Sequence, residues 1–318
     1  MHETTRTEQL AVRLQREPPL LIDGGTGTEI ERMGAAMHEK AWSARASLSD
    51  PDIVRRVHRA YLNAGAELII ANTYPANRHV MAGAGLIGEF EPANRRAVEL
   101  AREARDQAQD AAQSAGKWSW VAGSMSTTTF TGGLDRSRIE EDGLPGAGYR
   151  AQAAILADAG ADILILEMMR DVTETRLCLD TALDTGLPVW LGFSAERRAD
   201  GALRFFGSEQ SFADGVDMVL SSGRAPQAVG VMHSQLEATM DALDAVARSW
   251  GGPLFAYPHH GVFEMPHWRF EDTLEPEEFA AAAMEWVGRG VRAVGGCCGI
   301  RPRHIAALRA ALDSGRAR

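Results

Sequence analysis

The chain has 318 residues, 45% of them hydrophobic, and its 33 Lys and Arg against 43 Asp and Glu leave a net charge of −10 with His neutral. Such an acidic balance removes the positive field that non-specific binding to nucleic acid or an anionic membrane requires. No run reaches the roughly 18 apolar residues of a membrane span, and Met1 to Arg16 is polar and charged, without the basic-then-apolar pattern of a secretory signal, so a cytoplasmic protein is expected.

A polar helix or extension over 1–17 precedes Leu20 to Asp23, the first of eight short apolar runs. Glu67 to Asn72, Trp118 to Gly123, Asp162 to Glu167, Pro188 to Ser194, Ala228 to His233, Pro253 to Tyr257 and Arg292 to Gly296 follow. Between them the spacing predicts helices, among them Asp52 to Ala64, Pro92 to Ala115, Tyr149 to Ala159, Thr173 to Thr185, Leu236 to Ser249 and Pro276 to Arg289. Several open on an Asp, Glu or Pro start signal. Strand and helix patterns in alternation predict an α/β fold with a parallel sheet, and eight such units without a low-complexity linker predict a single (β/α)8 TIM barrel over 1–318.

In such a barrel the C-terminal strand ends face the active site. The polar residues there are Asp23, Asn72, Tyr74, Ser124, Glu167, Ser194, His233, His259, His260, Cys297 and Cys298. Each also has a plain structural reading, as an Asx turn or a helix cap. The first loop, Asp23-Gly24-Gly25-Thr26-Gly27-Thr28-Glu29, lacks the Lys of a P-loop and the third Gly of a dinucleotide fingerprint. Its glycines suit close backbone approach to a small ligand, with the Asp23 carboxylate taking an ammonium.

Three cysteines do not make a disulfide framework, and a bond between the adjacent Cys297 and Cys298 would close a strained ring, so reduced thiols are expected. Cys178 lies in a helical pattern and reads as core packing. Gly295-Gly296-Cys297-Cys298-Gly299 is different: two thiolates at the end of the eighth strand, with small neighbours, suit a soft tetrahedral ion such as Zn2+. A third ligand must come from another strand end, and His233 is the best placed. The plain alternative is that the two cysteines are packed as small hydrophobes and His233 is a hydrogen-bonded rim residue.

The segments DGGTGTE, ANTY, LILE, YPHHG and GGCCG, with the tail RPRHIAAL, occur in the order and spacing of the homocysteine S-methyltransferase family, which the chain resembles over nearly its whole length. The resemblance implies a (β/α)8 barrel and zinc activation of a thiol for methyl transfer. It makes Cys297 and Cys298 two zinc ligands, and Asp23 and Glu167 the carboxylates that hold the amino group of homocysteine. Gly24 and Gly25 fall where backbone groups approach the amino acid, and Asn72 and Tyr74 complete the candidate substrate-binding set.

The chain departs from the family pattern at several of these places. Where the family has Asn-Cys at the end of the sixth strand, with that Cys the third zinc ligand, this chain has Met232-His233. Pro258-His259 stands for Pro-Asn, Met125-Ser126 for Gly-Pro, and Met168 for the Thr after the strand-four Glu. Imidazole is an ordinary zinc ligand, so a Cys2His site is sound, with His259 or His260 the next candidates for the third position.

The implied partners are small molecules: a thiol acceptor and a methylated onium donor. The donor must carry positive charge, because a neutral thioether or amine is too poor a leaving group. Trp42, Tyr74, Tyr257 and Trp268 are candidates for cation–π contact with it. A chain of 318 residues leaves no room for separate cobalamin or folate domains, which favours S-methylmethionine or a betaine. A zinc-dependent hydrolase and a non-catalytic metal- or thiol-binding barrel are the alternatives, and a homo-oligomer is left open.

Overall fold

The structure, a computed structural model, describes residues 5–111, 118–127, 144–221, 223–264, 267–269 and 274–315. Eight parallel strands form its centre: β1 (Leu20–Leu21), β2 (Leu68–Ile70), β3 (Trp120–Ser126), β4 (Ile163–Met169), β5 (Val189–Phe193), β6 (Ala228–Gln235), β7 (Leu254–His259) and β8 (Val291–Val294). They are ordered β1-β8-β7-β6-β5-β4-β3-β2. A parallel bridge between Ile22 and Leu68, with the Asp23 amide donating to the Leu68 carbonyl at 2.9 Å, brings β1 against β2 and closes the ring. The fold is a (β/α)8 TIM barrel.

The runs are apolar throughout because both faces of each strand are covered. Leu20, Ile22, Leu68, Ile70, Trp120, Ile163, Ile165, Trp190 and Phe255 point inward and pack as one cluster. Leu21, Ile69, Val121, Leu164, Val189 and Leu191 point outward into a second cluster beneath the helices. A buried side chain of this size contributes about 1.5–3 kcal/mol, so two such layers outweigh the weak pairing of short strands. The helices Pro51–Asn63, Phe90–Ala111, Leu144–Asp158, Val172–Leu183, Leu236–Ser249 and Pro276–Gly288 lie between strands, and Pro302–Gly315 follows β8. The predicted end of the second of these, Ala115, lies outside the described residues.

The helix Arg6–Leu14 is fixed at its start by a Thr5–Glu8 capping box. Its buried Leu10 and Leu14 join the inner cluster, and the Trp120 indole Nε1 donates to the Arg6 carbonyl at 2.9 Å, so the helix stops the end of the barrel opposite the strand termini. At that same end the Arg13 guanidinium holds the Glu67 carboxylate with two bonds of 2.6 and 2.7 Å.

Three features differ from the pattern read in the sequence. β3 begins and ends about one turn of chain later than predicted, because Ser124, Met125 and Ser126 pair with Ile165, Leu166 and Glu167 of β4. A helix, Phe212–Leu220, crosses between β5 and β6. Two short antiparallel hairpins, Ala195–Arg197 with Leu203–Phe205 and Val262–Glu264 with His267–Arg269, interrupt the βα rhythm. The first is held by Phe205 against Phe193 and Phe212. Among the described residues no helix is long and apolar enough to cross a membrane.

Candidate metal and substrate site

A pocket with about 380 Å3 of empty space, part of it open to solvent, sits at the C-terminal end of the barrel. Gly25, Trp42, Asn72, Tyr74, Glu167, His233, Tyr257, Cys297 and Cys298 line it. Residues from the first, second, fourth, sixth, seventh and eighth βα units thus converge, although Gly25 and Cys298 are 273 positions apart in the chain.

Backbone irregularity aims the two central side chains. The β4–β5 register shifts between Leu166 and Met169, and the β6–β7 register shifts between Met232 and Gln235. Met168 (φ 56°) and His233 (φ 47°) lie in these stretches. With Trp42 (φ 45°) they are the only non-glycine residues at positive φ among those described, and all three are at or beside the pocket. Each such residue costs about 1–3 kcal/mol and must be held by its surroundings. The Ser194 hydroxyl donates to the His233 carbonyl at 2.7 Å, and the Ser234 hydroxyl accepts from the Ala195 amide at 2.8 Å and donates to the Met232 carbonyl at 3.1 Å. Ser194, a strand-end residue in the sequence, therefore secures the strained peptide.

The imidazole of His233 is fixed on its face and its edge. Tyr74 stacks on it with ring centroids 4.9 Å apart and planes 18° from parallel. Its Nε2 lies 2.8 Å from the Glu167 carboxylate Oε2. Cys297 Sγ lies 3.5 Å from His233 Nδ1, 3.6 Å from Nε2 and 3.6 Å from Cys298 Sγ. Ligand atoms of Glu167, His233 and Cys297 all fall within 4.8 Å of one another.

These spacings can be compared with a zinc site. Ligand bonds of the usual lengths at tetrahedral angles put two sulfurs about 3.8 Å apart and a sulfur and an imidazole nitrogen about 3.6 Å apart. The two edges at Cys297, to His233 and to Cys298, agree to a few tenths of an ångström, while Cys298 stands outside the cluster of Glu167, His233 and Cys297. Burial and the neighbouring Cys298 push the Cys297 thiol up, so a thiolate there needs a cation beside it. At His233 burial opposes the imidazolium, and the Cys297 sulfur and Glu167 carboxylate outweigh it, raising the pKa to about 10, so a metal bound here displaces a proton from the ring. The donor set fits zinc.

The remaining expected residues lie around this centre. Asp23 is fully buried behind the pocket wall; its Oδ2 accepts from the Ile70 amide at 2.7 Å and its Oδ1 from the Tyr257 hydroxyl at 2.9 Å. Burial raises its pKa well above the carboxylate range despite both bonds. At Gly24 the close approach is from the chain itself: a Cβ there would stand 2.2 Å from the Ile300 carbonyl oxygen. At Gly25, which does line the pocket, it would stand 2.8 Å from the Cys297 carbonyl and 2.9 Å from the Cys298 Cα. The first loop and the cysteine turn are thus packed backbone to backbone. Asn72 exchanges two hydrogen bonds with Ser43, accepting from its hydroxyl at 2.9 Å and donating to its carbonyl at 2.8 Å.

His259 is buried beyond the metal-sized cluster, edge-on to Phe206 with centroids 6.4 Å apart, and burial lowers its pKa to about 3. The His260 amide donates to the Cys298 carbonyl at 2.8 Å, which ties the cysteine turn to β7. Trp42 and Tyr257 lie in the pocket wall with Tyr74, whereas the side chain of Trp268 is outside those described.

The fold and site define a barrel enzyme with a thiolate-rich centre at its mouth. A family model described as homocysteine S-methyltransferase matches residues 20–312, and the chain belongs to that family. Its relatives include homocysteine S-methyltransferase 4 of Zea mays, 28% identical over 92% of this chain and 89% of that protein. A selenocysteine methyltransferase of Astragalus bisulcatus is 28% identical over 93% of each. The metallated form of the homocysteine methyltransferase MmuM from Escherichia coli superposes with a TM-score of 0.73 at 27% identity, covering 95% of this chain and 99% of that one.

Proposed function

We propose that this chain transfers a methyl group from a small sulfonium or quaternary ammonium donor to a thiol, with homocysteine, giving methionine, the acceptor that fits best, and that His233, Cys297 and Cys298 hold a zinc ion for the purpose. The observation that supports the reading most is the spacing of Cys297 from His233 and from Cys298 at the mouth of the barrel of a homocysteine S-methyltransferase family member. Held by those residues, zinc would supply a Lewis acid that keeps an acceptor thiol ionised at neutral pH.

The chain's own residues do the rest. Glu167, in the pocket wall, receives the α-ammonium of the acceptor, and Asp23, behind it, joins that field once the cation offsets the cost of its burial. Trp42 and Tyr74 offer aromatic faces to the cationic donor. The acceptor sulfur forms its new S–C bond as the methyl's bond to the onium sulfur or nitrogen breaks. The bonding pair leaves with the donor as a neutral thioether or amine, and the thiol proton passes to solvent. Cytoplasmic location, small-molecule partners and the absence of a nucleic-acid or membrane partner go with this chemistry, which needs its thiols reduced.

The test is a screen of methyl donors, S-methylmethionine and glycine betaine among them, against homocysteine with the product masses measured. Methionine formed with loss of one methyl from the donor supports the reading. Donor hydrolysis without thiol, or no turnover by the zinc-loaded protein, contradicts it.

A further inference from the structure

We propose that Glu167 is a positioning residue of the metal centre: its carboxylate fixes the His233 imidazole as the Nε2–H tautomer and leaves Nδ1 as the atom that faces the metal. The proposal rests on the zinc reading above and adds to it a residue outside the ligand set. Distance to sulfur does not choose between the two ring nitrogens, since Cys297 Sγ lies 3.5 Å from one and 3.6 Å from the other. The carboxylate does choose.

Glu167 Oε2 is 2.8 Å from His233 Nε2, the length of a charge-assisted hydrogen bond. Two ligands of one tetrahedral zinc, a carboxylate oxygen and an imidazole nitrogen, would stand about 3.4 Å apart. Glu167 therefore sits as an acceptor for Nε2–H and not as a fourth ligand. A carboxylate in this place orients the ring and makes the opposite nitrogen a better donor. Stacking of Tyr74 on the ring and the bond from the Ser194 hydroxyl to the His233 carbonyl restrain the same residue in its other degrees of freedom. A cysteine at position 233 would have no N–H for Glu167 to receive, so this function of the carboxylate belongs to the histidine. With one oxygen on His233, Glu167 keeps the other for the ammonium of the acceptor, and substrate binding and ligand strength share one charge.

The experiment loads 15N-histidine-labelled protein with 113Cd and reads which nitrogen of His233 couples to the metal, then measures zinc affinity by chelator competition in the parent, Glu167→Gln and Glu167→Ala. The expected results are coupling at Nδ1 with a protonated Nε2, an affinity about 10–100-fold lower in Glu167→Ala, and a smaller loss in Glu167→Gln, whose amide oxygen still accepts from Nε2–H. Coupling at Nε2 in the parent, or an unchanged affinity in Glu167→Ala, overturns the proposal. The coupling measurement on the parent needs no variant to fold. A parent that takes up no metal would overturn the functional reading itself, whereas metal on Nε2 overturns only the office assigned to Glu167.

Discussion

Cys297 and Cys298 lie 3.6 Å apart by their sulfurs, and burial raises the Cys297 thiol far enough that a bare thiolate there is unfavourable. On the proposed reading a metal ionises the pair, so the double variant Cys297→Ser, Cys298→Ser should lose bound zinc and methyl transfer together, as measured by metal content and turnover; full zinc occupancy would refute the site. Glu167→Gln keeps the shape and removes the charge. It should impair turnover of homocysteine far more than that of a thiol lacking the amino group, and an equal loss for both would show that the carboxylate does not meet the ammonium. His58, remote from this chemistry, is fully buried with neither ring nitrogen hydrogen-bonded, and burial lowers its pKa to about 4. Its folded pKa is below the unfolded value of about 6.5, so the unfolded chain binds the extra proton. Stability is unaffected above that value and is lost as pH falls from about 6.5 to about 4, by at most about 3 kcal/mol. Urea unfolding of the parent and His58→Leu across that range should show the decline in the parent and a shallower one in the variant.

The barrel strands were legible because a strand covered on both faces must be apolar along its whole length, and the pattern gave each of the eight to within a few residues. What it left out are elements held by something other than their own apolarity. β3 runs on through Ser-Met-Ser because β4 offers a ladder, and the three-residue hairpins are too short to display a period. The site was legible as a set of strand-end residues, His233 and Cys297 among them, but the sequence did not show that Glu167 stands with these two in one cluster. Nor was its internal wiring legible. That Tyr257 holds Asp23 from 234 positions away, that Tyr74 stacks on His233, and that Ser194 holds a strained peptide are facts of packing without a local signal. The first loop offers a test of this wiring. Gly25→Ala places a methyl group against the backbone of the cysteine turn, so the turn must shift. We expect zinc affinity to fall at least tenfold, by chelator competition, with far-ultraviolet circular dichroism unchanged. Unchanged affinity would mean the turn tolerates the methyl group and Gly25 does not set the ligand positions.

The whole molecule divides its labour between two ends. The N-terminal end of the barrel is stopped by the helix Arg6–Leu14 and the Arg13–Glu67 pair, and serves stability; the other end carries the register shifts of β4 and β6, the strained residues and the candidate ligands. A metal that binds only the folded chain stabilises it by mass action, about 4 kcal/mol at a thousandfold excess over Kd, so chelation should lower the unfolding midpoint of the parent and leave that of the double Ser variant in place. Replacement of a family cysteine by His233 also changes the centre's charge. Zinc with two thiolates and a neutral imidazole is neutral, whereas a third thiolate would make it an anion, so this chain should bind an incoming thiol more readily and release its nucleophilicity less readily. The most direct test is zinc-edge X-ray absorption on the loaded protein and on His233→Cys. The account predicts two sulfur ligands in the parent, three in the variant, and one more in each when homocysteine is added; the same sulfur count in parent and variant would show that His233 is not a ligand.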